Sequence, residues 1–218
     1  MSMKYKVVYQ FRWILVLGMI GLIYLCNLIL IKLPFVSFEF PEKDLSSGLV
    51  TFLLSFFPKF QYEFQIYNLQ TVFVWSCGII LGSRLGLTTL SIYIFLGLIG
   101  IPIFAGGGGW DYYKESTFGY LISLPLLAFL SGWFNEKNQK FLSVVIPIFA
   151  THLIGILYLL FFKQEYLNIA WHLSFSMITY DLIFALALIP VLPVIAFIVN
   201  EMVTQEVPVL EHVNEKNR

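Results

Sequence analysis

Charge is what this sequence has least of. Asp, Glu, Lys and Arg make up 12% of its 218 residues, about half the share of an ordinary soluble domain. The 13 basic and 13 acidic side chains cancel, and the basic ones are scattered, so the footprint of a nucleic-acid binder is missing. Cysteine is scarce as well. Cys26 and Cys77 stand singly in apolar runs, without CxxC spacing, and read as small buried hydrophobes rather than as redox or metal groups. No P-loop occurs, because the glycine tract at 106–109 is not followed by Lys and Ser/Thr; any ATP that powers this protein binds elsewhere. The apolar runs also lack the convergent nucleophile and base of an enzyme. No cofactor and no metal are expected.

What is present is hydrocarbon-compatible. Hydrophobic residues account for 59% of the chain, with 22 Phe, 12 Tyr and 5 Trp, and the mean hydropathy of +0.82 marks an integral membrane protein. The apolar runs at 13–31, 69–81, 87–105, 119–134, 141–162 and 171–199 each approach the roughly 20 residues that cross a bilayer. The expected fold is therefore all-α, with six transmembrane helices and a glycine-rich external loop after the third. Residues 1–200 form a single transmembrane substrate-binding domain in this reading, and 201–218 a short cytoplasmic tail. The first run outlasts a signal-peptide core and lacks an A-x-A-like cleavage site, so it is expected to stay as a helix. A further apolar stretch at 45–57 is too short for a span and reads as interfacial or re-entrant; a seventh helix is the competing reading.

With six spans, Lys4, Lys6, Arg12, Arg84, Lys137, Lys140, Lys216 and Arg218 fall on one side and Lys32, Lys43, Lys59, Lys114 and Lys163 on the other, and the positive-inside bias makes the first side cytoplasmic. Both termini then lie inside, and the connections at 32–67, 106–118 and 163–170 lie outside. The most informative of these follows the run GLIGIPIFAGGGG at 97–109. Irregular backbone at the mouth of a spanning segment survives only where it faces protein, water or ligand. No internal repeat stands out, so the inverted-repeat design of many secondary transporters has no support.

These residues carry a family likeness. NLQT at 68–71, LGSRLG at 81–86, YIFLGLIGIPIFAGGGG at 93–109, TFGY at 117–120 and Asp181 in the last apolar run recur in order. The chain resembles the BioY family, the biotin-binding S components of energy-coupling-factor transporters, most strongly over 68–133. The resemblance implies a membrane protein that binds biotin from outside under the loops after its first and third helices. It also implies partners: a transmembrane T subunit and two cytoplasmic ATPases, besides membrane lipid. In the family's last helix an Asp is followed by a pocket lysine; this chain has Asp181 but Phe184 at the lysine position.

A biotin pocket needs acceptors for two ureido N–H groups, a donor for the carbonyl and apolar walls for the rings. Asp181 supplies an acceptor, and an intramembrane carboxylate is a functional candidate in its own right. His152 falls at a similar depth and is its natural partner; the plain alternative is a core histidine bonded to a backbone carbonyl. Asn68, Gln70 and Thr71 open the second helix with donors and acceptors, or serve as cap and interhelix glue. Gly106, Gly107, Gly108 and Gly109 allow backbone to close over a ligand, or form a plain flexible loop. Tyr93, Tyr120, Tyr180, Trp171 and Trp110 are candidate ring walls, although aromatics also anchor at membrane interfaces. For the ligand carboxylate, Lys114, Lys163 and His172 are the available cations.

Overall fold

The computed structural model describes residues 5–6, 9–39, 59–203 and 207–208. Among them are seven α-helices: α1 (Tyr9–Leu28), α2 (Gln70–Leu81), α3 (Ser83–Leu98), α4 (Phe118–Glu136), α5 (Leu142–Phe162), α6 (Leu167–Leu188) and α7 (Leu192–Val203). Short strands β1 (Tyr5–Lys6) and β4 (Val207–Pro208) pair antiparallel. Strands β2 (Leu30–Glu39) and β3 (Lys59–Asn68) form a hairpin in continuous register from Leu30 opposite Asn68 to Glu39 opposite Lys59. The chain divides into two compact units, with Ile29–Asn68 as one and the helices in the other. The stretch at 45–57 lies outside the described residues.

Helix dominates as expected, but six transmembrane helices are not what the chain builds. Among the described residues two helices, Phe118–Glu136 and Leu142–Phe162, are long and apolar enough to cross a membrane, and a third span arises if α6 and α7 cross as one pair bent by 63°. The physical reason is backbone interruption inside runs that hydropathy reads as continuous. Helix α2 is short from the outset: its apolar run ends at residue 81, where Gly82 (φ 81°) turns the chain, and its 12 residues rise ~18 Å against a hydrocarbon core of ~30 Å. Helix α3 stops at Leu98 rather than at residue 105, because Gly100 (φ 110°) turns away from helical geometry. The apolar part of α1, Trp13–Leu28, is likewise short. The last run, expected to be one helix, splits at Ile189–Val191, where Pro190 and Pro193 deny amide hydrogens to a continuing helix. Helix α7 extends through Val203, so the first residues of the expected tail are helical.

The hairpin is the second departure from the expected all-helical layout. The run KFQYEFQIYN alternates apolar and polar residues with the period of two that a strand presents to its two faces. Tyr62, Phe64 and Ile66 share one face and are exposed.

In the helical unit, α4 lies against α2, α3 and α5. Its small residues allow this. A Cβ on Gly78 of α2 would overlap the Ala128 carbonyl, and one on Gly132 of α4 would overlap the Ser83 backbone, so the helices approach at backbone contact distance, as small residues permit in membranes. Glu136 at the end of α4 then caps the start of α3: its Oε1 accepts from the Ser83 amide at 2.7 Å and its Oε2 from the Ser83 hydroxyl at 3.1 Å. A carboxylate there satisfies otherwise unbonded amides and meets the positive end of the helix dipole. Helix α5 presents Phe149, Leu153, Leu157 and Leu160 outward, an apolar face suited to lipid.

Candidate functional site

Helices α4 and α5 meet through reciprocal glycine–tyrosine contacts. A side chain on Gly119 would collide with Tyr158, and one on Gly155 would collide with the ring of Tyr120. The room left by Gly155 lets Tyr120 lie edge-on to His152, with ring centroids 5.8 Å apart, a favoured aromatic geometry. The Tyr120 hydroxyl is 2.5 Å from Ser174 Oγ on α6. Seven residues along that helix, on the same face, stands Asp181. It is 1% exposed, and its Oδ2 lies 3.1 Å from His152 Nε2. Tyr120, His152, Ser174 and Asp181 thus form one polar cluster joining α4, α5 and α6 inside an otherwise apolar bundle. The second ring nitrogen, His152 Nδ1, is buried and has no hydrogen-bond partner among the described residues.

A second cluster surrounds the Tyr93 hydroxyl on α3. Asn27 of α1 donates to it at 2.7 Å and Gln70 of α2 at 3.4 Å, while Tyr93 itself donates to the Ile103 carbonyl at 3.0 Å. Asn27 also reaches that carbonyl at 3.3 Å. Three helices and the segment leading into the glycines are therefore tied at one oxygen.

The glycine tract is an ordered loop and not a loose tether. Phe104 and Gly107 exchange amide–carbonyl bonds of 2.9 and 3.0 Å, and the Gly109 amide donates to the Gly97 carbonyl at 2.7 Å. Phe104 fills the hollow beside Gly97, where a Cβ would overlap its ring, and meets Tyr93 edge-on and Tyr112 at a tilt, with ring centroids 5.6 and 4.7 Å away. Gly107 and Gly109 both take φ 113°, a region that side-chain-bearing residues avoid. The Gly107 and Gly109 amides are turned into the loop by these bonds.

The other expected site residues are placed as follows. Thr71 sits half-buried in the first turn of α2 beside Gln70, and Asn68 ends β3 opposite Leu30. Tyr180 is half-buried next to Asp181, and Trp171 lies within α6, with its side chain outside the described set. Trp110 is 73% exposed. Phe184 is half-buried one turn beyond Asp181. Lys114 forms an exposed 2.6 Å pair with Asp111; that hydrogen bond pushes the Lys114 pKa above the ordinary lysine value, so the lysine stays cationic. Asn27, Phe104 and Ser174 belong to these clusters but were not anticipated. Asn27 had a signal, being the amide near the end of an otherwise apolar run; Ser174 and Phe104 had none, since serines and phenylalanines recur throughout the chain.

Apolar helices around buried polar clusters, with a folded glycine loop tied to one of them, define an integral membrane protein. The chain belongs to the BioY family, whose sequence profile matches residues 47–201. Its relatives include a probable biotin transporter BioY of Lysinibacillus sphaericus, 40% identical over 74 residues that make up 34% of this chain and 38% of that protein. The biotin transporter BioY of Thermotoga maritima is 36% identical over 34% of this chain and 45% of its own length. That of Rhizobium etli is 30% identical over 49% and 60%. The matched regions thus span between about two fifths and three fifths of these relatives. Among solved structures, the S-component for biotin from an ECF-type ABC transporter shares the fold, with TM-score 0.59 and 18% identity over 89% of this chain and 95% of that one.

Proposed function

We propose that this protein is the membrane substrate-binding component of a biotin uptake transporter and performs no chemistry on its ligand. The observation that carries this reading is the carboxylate of Asp181, sealed from solvent among apolar helices and held by His152. A buried carboxylate in a membrane is retained where something needs it, and a cyclic urea with two N–H donors is a fitting partner. The names of the relatives from several organisms support biotin as that ligand. Asp181 accepts from the ureido group; Gln70 and Thr71 offer amide and hydroxyl contacts; Tyr93, Tyr120 and Tyr180 supply apolar walls; Gly106–Gly109 form the backbone cover. Transport is energised by a separate T subunit and ATPases, consistent with the missing P-loop. The glycine loop before α4 is external and the turn after it, with Lys137 and Lys140, is cytoplasmic, as the distribution of basic residues favours.

Phe184 supports a second reading, in which the ligand is another small vitamin or metabolite. Titration of labelled biotin into the purified protein in nanodiscs, with other water-soluble vitamins as competitors, tests both. Saturable binding displaced by cold biotin alone supports the first reading. Displacement by a different vitamin, with biotin inert, replaces it with the second.

A further inference from the structure

We infer that one face of the β2–β3 hairpin is a lipid-contacting surface, with the ribbon lying flat at the boundary between headgroups and acyl chains. The continuous register sorts alternate residues of the two strands onto common faces. Lys32 stands opposite Ile66 and Pro34 opposite Phe64, and Leu30 and Tyr62 fall on the same side. All of these side chains are exposed, Tyr62, Phe64 and Ile66 by 76, 73 and 56%. On the other face Tyr67 is buried, and Ile31, Leu33, Phe35 and Gln65 are half-buried. An antiparallel ribbon in water covers one face and keeps the second polar. Here the second face is also apolar, Lys32 and the terminal Asn68 apart, and it lies open. Large apolar side chains gathered on an open face mark a contact with something apolar.

Lipid is the occupant because the open face continues an apolar surface that starts on a membrane helix. Helix α1 turns Leu17, Leu25 and Leu28 outward, 63, 53 and 62% exposed, as an apolar helix does in a bilayer. The chain runs on through Ile29 and Leu30, 48 and 61% exposed, into the open face. Ile29 alone separates α1 from β2, and Leu69 alone separates β3 from α2, so both ends of the ribbon are tethered to apolar helices. The chemistry of the face fits the interfacial zone rather than the hydrocarbon centre. A sheet of two strands has outer-edge amides and carbonyls that hydrocarbon cannot satisfy, whereas headgroups and their water can. Tyr62 has the apolar ring and polar tip that collect at this depth. Lys32 can lay its stem along the face and lift its ammonium to the lipid phosphates.

Nitroxide scanning of the full chain in nanodiscs tests this. Cys26 and Cys77 are buried, so an added surface cysteine is the one that labels. Phe64→Cys and Ile66→Cys, made singly, place labels on the open face, and either one suffices if the other fails to fold. Each label should relax several-fold more with dissolved oxygen, which concentrates in acyl chains, than with a water-soluble nickel chelate. Glu63→Cys, at an exposed position on the opposite face, should show the reverse preference. Chelate-accessible labels at 64 and 66 would put the face in water and overturn the inference. Labels shielded from both reagents would put a second copy of this chain on the face, and overturn it as well. Neither readout needs a bound ligand, so the result stands apart from the reading of this protein as a biotin binder.

Discussion

The Tyr93 hydroxyl donates to the Ile103 carbonyl at 3.0 Å while accepting from Asn27 at 2.7 Å, so one phenol couples the start of the glycine loop to helices α1 and α3. The bond runs from a fully buried side chain to backbone that has just left a helix. Gly97 opens the hollow that Phe104 fills beneath it, and Phe104 and Gly107 close the turn beyond. The loop's shape is set from inside the bundle.

Tyr93→Phe keeps the ring and its contact with Phe104 but removes the hydroxyl that accepts from Asn27 and donates to the Ile103 carbonyl, leaving only the longer direct bond of 3.3 Å between those two groups. A buried hydrogen bond contributes about 0.5–1.5 kcal/mol. The variant should melt earlier, and a cysteine placed at Ala105 should react faster with maleimide than in the Tyr93 background. Equal labelling rates would mean that the hydroxyl does not hold the loop.

The four consecutive glycines should not respond alike. A Cβ on Gly108 would overlap the Ile101 carbonyl, whereas on Gly106 its nearest neighbour is a Tyr112 ring atom at 3.4 Å. Gly109, at φ 113° and ψ 164°, occupies a region open essentially to glycine alone, where another residue costs about 1–3 kcal/mol. Gly108→Val and Gly109→Val should lower biotin affinity tenfold or more (roughly, if one such penalty falls on the bound form), while Gly106→Ala binds normally. Titrations of folded variants check this; a uniform response across the tract would count against a shaped cover.

Asp181→Asn keeps the size of the side chain and loses the charge. If the carboxylate accepts ligand N–H groups, one of them now meets an amide donor, and affinity should fall on the order of a hundredfold. A thermal melt beside the titration separates binding from packing: normal affinity with early melting would assign Asp181 to helix association.

The contact between α4 and α5 depends on Gly155. Gly155→Leu forces Tyr120 off its place beside His152, and overpacking of this kind costs about 1–3 kcal/mol. Melting temperature and biotin affinity should fall together. Gly18→Leu on α1, where nothing lies within 4 Å, is the control and should leave both unchanged in the isolated protein.

Orientation is tested by labelling. Cys26 and Cys77 are both buried, so background reaction is low. A single cysteine at Tyr113 should react with an impermeant maleimide from outside, and one at Asn138 should not. The reverse pattern would turn the protein over in the membrane.

Much of this protein is legible in its sequence. Apolar composition determines that it lives in a membrane, because low charge and long hydrocarbon-compatible runs have no other stable solvent. A carboxylate and an imidazole isolated within such runs, at Asp181 and His152, announce themselves by their cost. The strand hairpin was also written there, in the alternation of residues 60–66, but a reading tuned to long apolar runs passes over a period of two. Tertiary structure alone decided where the helices break and what meets across them. Hydropathy sums side chains over a window and is blind to a single positive φ at Gly100, so α3 stops at Leu98, short of the end of its apolar run. Ser174 and Asn27 look like any other small polar residues until packing sets one against Tyr120 and the other against Tyr93. The glycine tract was visible as freedom of the backbone; that this freedom is used to fold a loop over Phe104, with Gly107 and Gly109 bonded inward, depends on contacts that no local pattern encodes.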